Sequence, residues 1–539
     1  MRRAIAALGL GILAACGSGG ATHATSVLPT ATLPATTGTS SKATASATFT
    51  ITVPAKAAQA VSRKPQYVSV NTQSVVITLQ AVNGTVYAGT GAIIASNLTT
   101  TNPACSGASG TLTCTIVAPA VPGGDTFMIS TYDAQQTTST PTAPAGNVLS
   151  NATAFAQVVA GQANSFATAL VLNGVAASTS IAFATDTATA AHVSGSEAAG
   201  FQIVGNQPYT ITPEAFDASG ARIIGDGAPT FSLGTSSSAV AFTAAGSSDS
   251  VQVMKYSATP IALTVTPSNG TPLQFNVTTV QELWIGCDAD MIYGFKAGTT
   301  TPIAGDTITD AGSPWSLAVA PNGDLFAANH ISSTVSAYVP GTNQAVTSES
   351  ITGLNGPTQL AFDPTGDLYV TNGFSNGPVQ KFTSGTYALS NASFVTSGGA
   401  IGQAAFDSTG DVFIPIGTNV AEYSPTGTPI NPAFITGLSS PFGMVVDESG
   451  NFWIDNFGAG TVNKYGPTGS ALGVSIPQPS TSSQGDIAID ASGNVWITYP
   501  DIDTISPFTS TGSPIAGETI SAPAGIPPGS APLGIAFTP

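Results

Sequence analysis

The stretch Pro357-Thr-Gln-Leu-Ala-Phe-Asp-Pro-Thr-Gly-Asp-Leu-Tyr369 decides how this chain folds, because the chain writes it five times. One copy precedes it, Pro314-Trp-Ser-Leu-Ala-Val-Ala-Pro-Asn-Gly-Asp-Leu-Phe326, and three follow, starting at Ile401, Pro441 and Gln484. The turn glycines Gly323, Gly366, Gly410, Gly450 and Gly493 are spaced by 43, 44, 40 and 43 residues. A fixed period of this size is the mark of a repeat architecture.

Within a unit, a short apolar run (Leu360-Ala-Phe) leads into a turn (Asp363-Pro-Thr-Gly-Asp367) and a second apolar run (Leu368-Tyr-Val). Pro presets φ, Gly accepts a positive φ and Asp bonds its own backbone, so the turn is specified chemically. A third run closes on an aromatic: Tyr338, Phe382, Tyr423, Tyr465 and Phe508. The residues left before the next unit supply a fourth, outer strand. Four short antiparallel strands per repeat of this length predict a β-propeller blade. The ends predict closure: Pro532-Leu-Gly-Ile-Ala-Phe537 reads as a first strand without a successor. Leu283 to Phe295 reads as a second and third strand without a predecessor. Five copies and one split blade give an expected six blades.

These residues carry a resemblance. The pattern Pro-x-x-Leu-Ala-Phe-Asp-x-x-Gly-Asp/Asn-Leu-Tyr/Trp resembles the NHL repeat family, and is similar to the streptogramin-lyase-like and SMP-30/gluconolactonase-like propellers. The WD dipeptide of WD40 blades is absent at the expected strand ends. The resemblance covers residues 283–539 and implies a fold more than a function, since such propellers include binding scaffolds, sensors and enzymes.

At the amino terminus, Met1-Arg-Arg followed by the apolar run Ala4 to Ala15 reads as an export signal, residues 1–15, too short to span a bilayer. Leu13-Ala-Ala-Cys16 resembles a bacterial lipobox, which implies cleavage before Cys16 and lipidation of its thiol. The competing reading is an ordinary secretory signal with an incidental Cys. Several acyl chains, as lipoproteins carry, anchor stably where one is marginal. Residues 16–47 are rich in Ser, Thr, Ala, Gly and Pro and read as a disordered tether. The localisation this implies is extracytoplasmic, at the outer membrane or cell surface, with the membrane as a partner through the anchor.

From Thr48, period-two runs recur: Phe49-Thr-Ile-Thr-Val, Tyr67-Val-Ser-Val, Val75-Val-Ile-Thr-Leu, Leu112-Thr-Cys-Thr-Ile-Val, Thr126 to Tyr132, Ala154 to Val159 and Phe166 to Leu172. They predict a β-sandwich over 48–178, and similar runs predict a second over 179–280. Both resemble the Ig-like modules of exported bacterial proteins, without a Cys…Trp…Cys spacing. Cys105 and Cys114 flank a Gly-containing hairpin, and export favours a disulfide between them. Cys287 is left over and reads as a small buried side chain.

Only 7% of residues are charged and the net charge is −17. From Leu283 onward three basic residues (Lys296, Lys381, Lys464) face nineteen acidic ones. Nucleic acid needs clustered Lys and Arg and is not an expected partner. Histidine is confined to His23, His192 and His330, and only His330 lies in the repeats, where a solvated loop role is the plain reading. No catalytic residue is assigned. Acidic pairs in the loops after second strands make Asp288, Asp290, Asp501 and Asp503 the candidate metal ligands, for Ca²⁺ or Mg²⁺. The competing reading is that Asp and Asn stabilise turns, as the repeated Asp363, Asp407, Asp447 and Asp490 do.

The sequence therefore predicts an all-β chain, a six-bladed β-propeller (281–539) preceded by two Ig-like β-sandwich domains. The expected function is a lipid-anchored scaffold that needs no cofactor and binds a protein or glycan. The alternative is a metal-dependent propeller enzyme, streptogramin-lyase-like or lactonase-like. A third reading is a structural envelope component.

Overall fold

The computed structural model describes residues 43–53, 68–107, 111–165, 171–224, 227–245, 248–310, 312–373, 377–395, 402–479 and 485–538. Cys16 and most of the expected tether lie outside the described residues, as do residues 166–170 of the last run read in the first sandwich.

The first unit is a pair of stacked sheets. One orders the strands Cys105–Ser106, Leu112–Ala120, Ala45–Val53 and Asn164–Ser165. The other is built on Val148–Val158, Gly123–Tyr132 and Ser74–Val82. Alternation decides which face is buried: Phe49, Ile51 and Ile116 of one sheet meet Ile77, Phe127 and Ile129 of the other. Phe49 and Phe127 meet edge to face at 5.2 Å. Cys105 and Cys114 are direct register partners and are disulfide-bonded. The run Tyr67-Val-Ser-Val, expected as a strand, is not one over its described residues. Thr72 N donates to Ser69 O at 3.1 Å, closing a turn, and Val68 is the apolar side chain of the run that sinks into the core. Alternation cannot separate a strand from a turn that buries one apolar side chain.

The second unit is again two sheets, one of four strands and one of five, around Ile203, Ile211, Val251, Leu263 and Val277. It contains the short helix Thr187–His192, capped by Asp186, whose carboxylate accepts from Thr189 N and Oγ1. The strand Gly200–Val204 runs parallel to Leu273–Val280, which passes directly into the next unit.

From Glu282 onward the chain is a β-propeller whose described residues form six four-stranded sheets. Five are sequential. The sixth orders Pro302–Thr309, Met291–Lys296, Glu282–Cys287 and Pro532–Phe537, so the last strand of the chain pairs with the first of the propeller. Its register runs from Leu283↔Phe537 to Gly286↔Gly534. The second strands Leu325–Asn329, Leu368–Asn372, Phe452–Asn456 and Val495–Tyr499 are buried at every position. Both faces of these sheets pack on neighbouring sheets, which is why they read as unbroken apolar runs rather than alternating ones. Outer strands such as Pro429–Ile435 are mostly exposed. Each repeated Asp closes its turn: Asp363, Asp407, Asp447 and Asp490 accept, through Oδ1, the backbone N–H groups two and four residues on, at 2.9–3.0 Å.

Candidate functional site

The four carboxylates singled out in the sequence sit in loops at one face of the propeller, where Asp288, Asp290 and Asp503 tie neighbouring segments together. Asp290, at φ 58°, accepts from Gly312 N and Ser313 N at 3.0 and 2.9 Å. Asp288 accepts from Ser313 Oγ. Asp503, at φ 48°, accepts from Gly529 N at 2.6 Å and Ala531 N at 2.8 Å. Asp501 is exposed in the single turn Pro500–Ile502. His330 is half-buried on the same face, tilted against the Trp315 ring at 4.5 Å, and its Nδ1 lies 3.1 Å from Gly356 O.

Inside the ring, one repeat position faces the next sheet. It is the third residue of each unit: Ser316, Gln359, Gln403, Gly443, Asp486 and Gly534. Leu360 N donates to Ser316 Oγ (3.3 Å), Met444 N to Gln403 Oε1 (3.1 Å) and Ile535 N to Asp486 Oδ2 (3.3 Å). These bonds zip successive inner strands together. Gly534 is needed because a Cβ there would lie 2.9 Å from Leu317 N. Asp486 is the one carboxyl at this position, and burial pushes it up to about 8 against the hydrogen bonds from Ile487 N and Ile535 N. Next to it, burial pushes Asp455 up to about 7 although Gln478 Nε2 donates to one of its oxygens. Its second oxygen and the hydroxyl of Tyr499 have no hydrogen-bond partner among the described residues. One mouth of the channel is a cavity of about 490 Å³ lined mainly by apolar residues such as Val319, Phe362, Phe406, Met444 and Ile489.

A third cluster lies at the seam between the second sandwich and the propeller. His192 ends the helix Thr187–His192, Glu282 opens the strand Glu282–Cys287, and Asp306 lies on Pro302–Thr309. Among the described residues, these three bring a ring nitrogen and two carboxylate oxygens within 4.8 Å of one another, and Asp288, Asp290, Asp501 and Asp503 do not join them. They are 1%, 0% and 1% exposed. His192 Nδ1 lies 2.8 Å from Ala188 O, so Nδ1 carries the proton and donates it, and Nε2 faces the carboxylates. Nε2 is 2.7 Å from Asp306 Oδ2 and 3.6 Å from Glu282 Oε1. The first is a close buried ion-pair contact, and the second is too long for a hydrogen bond.

The sheet is shaped to allow this meeting. Gly294 sits on the strand between Glu282 and Asp306, opposite Trp284. The pairing jumps from Tyr293↔Thr307 to Phe295↔Pro302, and the bulge places Asp306 over Gly294. A Cβ on Gly294 would lie 2.8 Å from Asp306 Cβ and 3.0 Å from Glu282 Oε1. Lys296, the register partner of Glu282, gives its ammonium to Gln202 Oε1 of the sandwich instead. Burial pulls the His192 imidazole down, but Asp306 and Glu282 outweigh it and hold it up at about 10. Burial, with Asp306 adding to it, pushes Glu282 up to about 7.

The sequence reading passed over this cluster because positions 192, 282 and 306 belong to two domains and to no motif. One signal was available: Glu282 stands directly before the fully buried run Leu283-Trp-Ile-Gly-Cys287, and a charge there needs a partner. Asp486 was equally readable as the charged exception at an otherwise neutral repeat position.

No family model and no curated protein matches this chain. It is similar to several solved structures. A protein of unknown function from Bacteroides caccae is 12% identical over 48% of this chain and 99% of its own, with a TM-score of 0.38. Virginiamycin B lyase from Staphylococcus aureus is 12% identical over 53% of this chain and 88% of its own, with a TM-score of 0.33. Regucalcin from Agrobacterium tumefaciens, a calcium-binding protein, is 13% identical over 39% of this chain and 74% of its own, with a TM-score of 0.31.

Proposed function

We propose that this is an exported, lipid-anchored binding protein in which two Ig-like sandwiches hold a closed, six-bladed, NHL-type propeller off the membrane and present its loop face to a protein or glycan. The observation that carries this reading is that the described loops around Asp288, Asp290 and Asp503 lie away from the sandwich, are tied down by hydrogen bonds and share their face with exposed apolar side chains. Asn206 of the sandwich packs on Gly323, at the start of the strand Leu325–Asn329, while the loop carrying Ile331 lies at that strand's far end. Gln281 Oε1, at the joint, accepts from Ala491 N at the start of Val495–Tyr499, and Ile502 lies beyond its far end. Ile331 is 75% exposed and Ile502 48%. Asp288, Asp290 and Asp503 hold the loops around them, so little ordering remains to be lost on binding. The acidic, charge-poor surface suits neither nucleic acid nor any other polyanion.

The test uses the full chain with Cys16→Ala, which is expected to leave the membrane fraction. Its binding to isolated envelopes, before and after protease or periodate treatment, separates a protein from a glycan partner. Ile331→Asp with Ile502→Asp is expected to weaken retention about tenfold or more. Unchanged retention of that variant would refute the loop face as the binding surface.

The metal-dependent or lactonase-like enzyme reading keeps one support: Asp455 and Asp486, poised near neutrality beside Tyr499, suit acid–base work at the channel. It requires lactone opening or ester cleavage by the full chain that Asp486→Asn abolishes.

A further inference from the structure

The seam between the second sandwich and the propeller brings a buried histidine and two buried carboxyl groups together at 0–1% exposure, one from the sandwich and two from the propeller. Buried polar groups are costly unless they are hydrogen-bonded, paired or bound to a metal. Among the described residues, both oxygens of Glu282 have no hydrogen-bond partner, and Asp306 Oδ2 lies 2.7 Å from His192 Nε2. We propose that His192, Glu282 and Asp306 are the ligands of a divalent transition-metal ion of the zinc class, which clamps the second sandwich to the propeller.

Four observations on the trio agree with this. A dipositive ion with two carboxylates and a neutral imidazole leaves no net charge. The ring is oriented as a metal ligand needs, because Nδ1–H is held by Ala188 O and Nε2, once it gives its proton up to the ion, faces the carboxyl groups. Ligand atoms about 2.0–2.2 Å from a tetrahedral ion lie about 3.3 Å apart, and the His192 contacts of 2.7 and 3.6 Å straddle that value. Two glycines sit against the trio where a side chain would intrude: a Cβ on Gly294 or Gly205 would fall 3.0 or 2.8 Å from a Glu282 oxygen.

The donor set selects the ion. Calcium takes six to eight oxygens and magnesium an octahedron of oxygens and water, whereas imidazole with carboxylates suits zinc and its neighbours. One ligand comes from the sandwich and two from the propeller, so the ion would stabilise the docked arrangement rather than either part alone.

The experiment uses the full chain, stripped with chelator and then equilibrated with Zn²⁺ alone or Co²⁺ alone. Elemental analysis after desalting is expected to find one zinc per chain, with a higher melting temperature than the stripped protein. Cobalt is expected to give the visible absorption of a tetrahedral site carrying one nitrogen. Glu282→Gln and Asp306→Asn, close in size to the native residues, should each weaken zinc binding about 10-fold to 100-fold. Should those variants not fold, the cobalt spectrum of the native chain decides. Absence of any retained ion, zinc bound by both variants as well as by the native chain, or a stability gain from Ca²⁺ but not Zn²⁺ would each overturn the proposal.

Discussion

Gly294 lets two carboxylates meet across a strand by having no side chain. Gly294→Ala forces a methyl against Asp306 Cβ and Glu282 Oε1, in a sheet whose neighbours include the fully buried Trp284. Overpacking of this kind costs about 1–3 kcal/mol, read as a lower midpoint in urea. Gly234→Ala is the control: nothing lies within 4 Å of a Cβ there, so it is expected to be neutral or slightly stabilising. Asp486 makes a different residue-scale statement. Its folded-state pKa, about 8, lies above the usual carboxylate value because burial disfavours the anion. Below pH about 4 both folded and unfolded chains hold the proton, and this group takes nothing from stability. As pH rises from about 4 to about 8, the unfolded chain releases the proton and the folded one keeps it, so stability falls. Asp486→Asn should flatten that slope, with a gain over the native chain of a few kcal/mol at pH about 8 and none at pH about 4. Denaturation midpoints across the range check it, and parallel profiles for the two proteins would show that Asp486 ionises freely in the fold.

At the scale of the element, the repeated turns are alike in backbone and unlike in surroundings. Asp407 bonds its own turn through Thr409 and Asp411. Asp447 does the same through Ser449 and Asn451 and also pairs with Lys464 at 3.0 Å, whose residue is 9% exposed and sits over the Trp453 ring. Asp407→Ala is expected to cost about 1–2 kcal/mol for the lost turn bonds. Asp447→Ala should cost more, about 3 kcal/mol, because it leaves a largely buried ammonium without its carboxylate. Equal losses in urea titrations would mean that Lys464 finds another acceptor. The same turns explain why the propeller was readable. Asp, Gly and flanking apolar runs recur at a period near 43 residues, and each copy corroborates the next. Even the split sheet follows from two unfinished units, Leu283–Phe295 and Pro532–Phe537. The sandwiches have no such redundancy, and Tyr67-Val-Ser-Val was mistaken for a strand on alternation alone. The seam cluster was illegible for a further reason. Its chemistry depends on how one domain docks on another, and on Gly294, whose importance appears only once its neighbours are placed.

At the scale of the whole molecule, the last strand has two attachments. Pro532–Phe537 completes the sheet of Glu282–Cys287, and Thr498 Oγ1 ties Leu533 O to the adjoining sheet at 3.0 Å. Beyond it, Thr538 secures the joint to the sandwich: Gln281 Nε2 donates to Thr538 O at 2.7 Å, and Glu282 N donates to Thr538 Oγ1 at 2.8 Å. Removing residues 532–539 would strip the partner from a strand buried at all six positions and free the segment on which Glu282 stands. An exposed apolar edge of that kind invites pairing with other chains. The truncated chain is therefore expected to aggregate or melt without a single transition. Limited proteolysis should cut near Gln281, a site the intact protein protects. If the C-terminal truncation melted as sharply as the intact protein and resisted cleavage at the joint, the closing strand would be a covering rather than the element that holds ring and sandwich together.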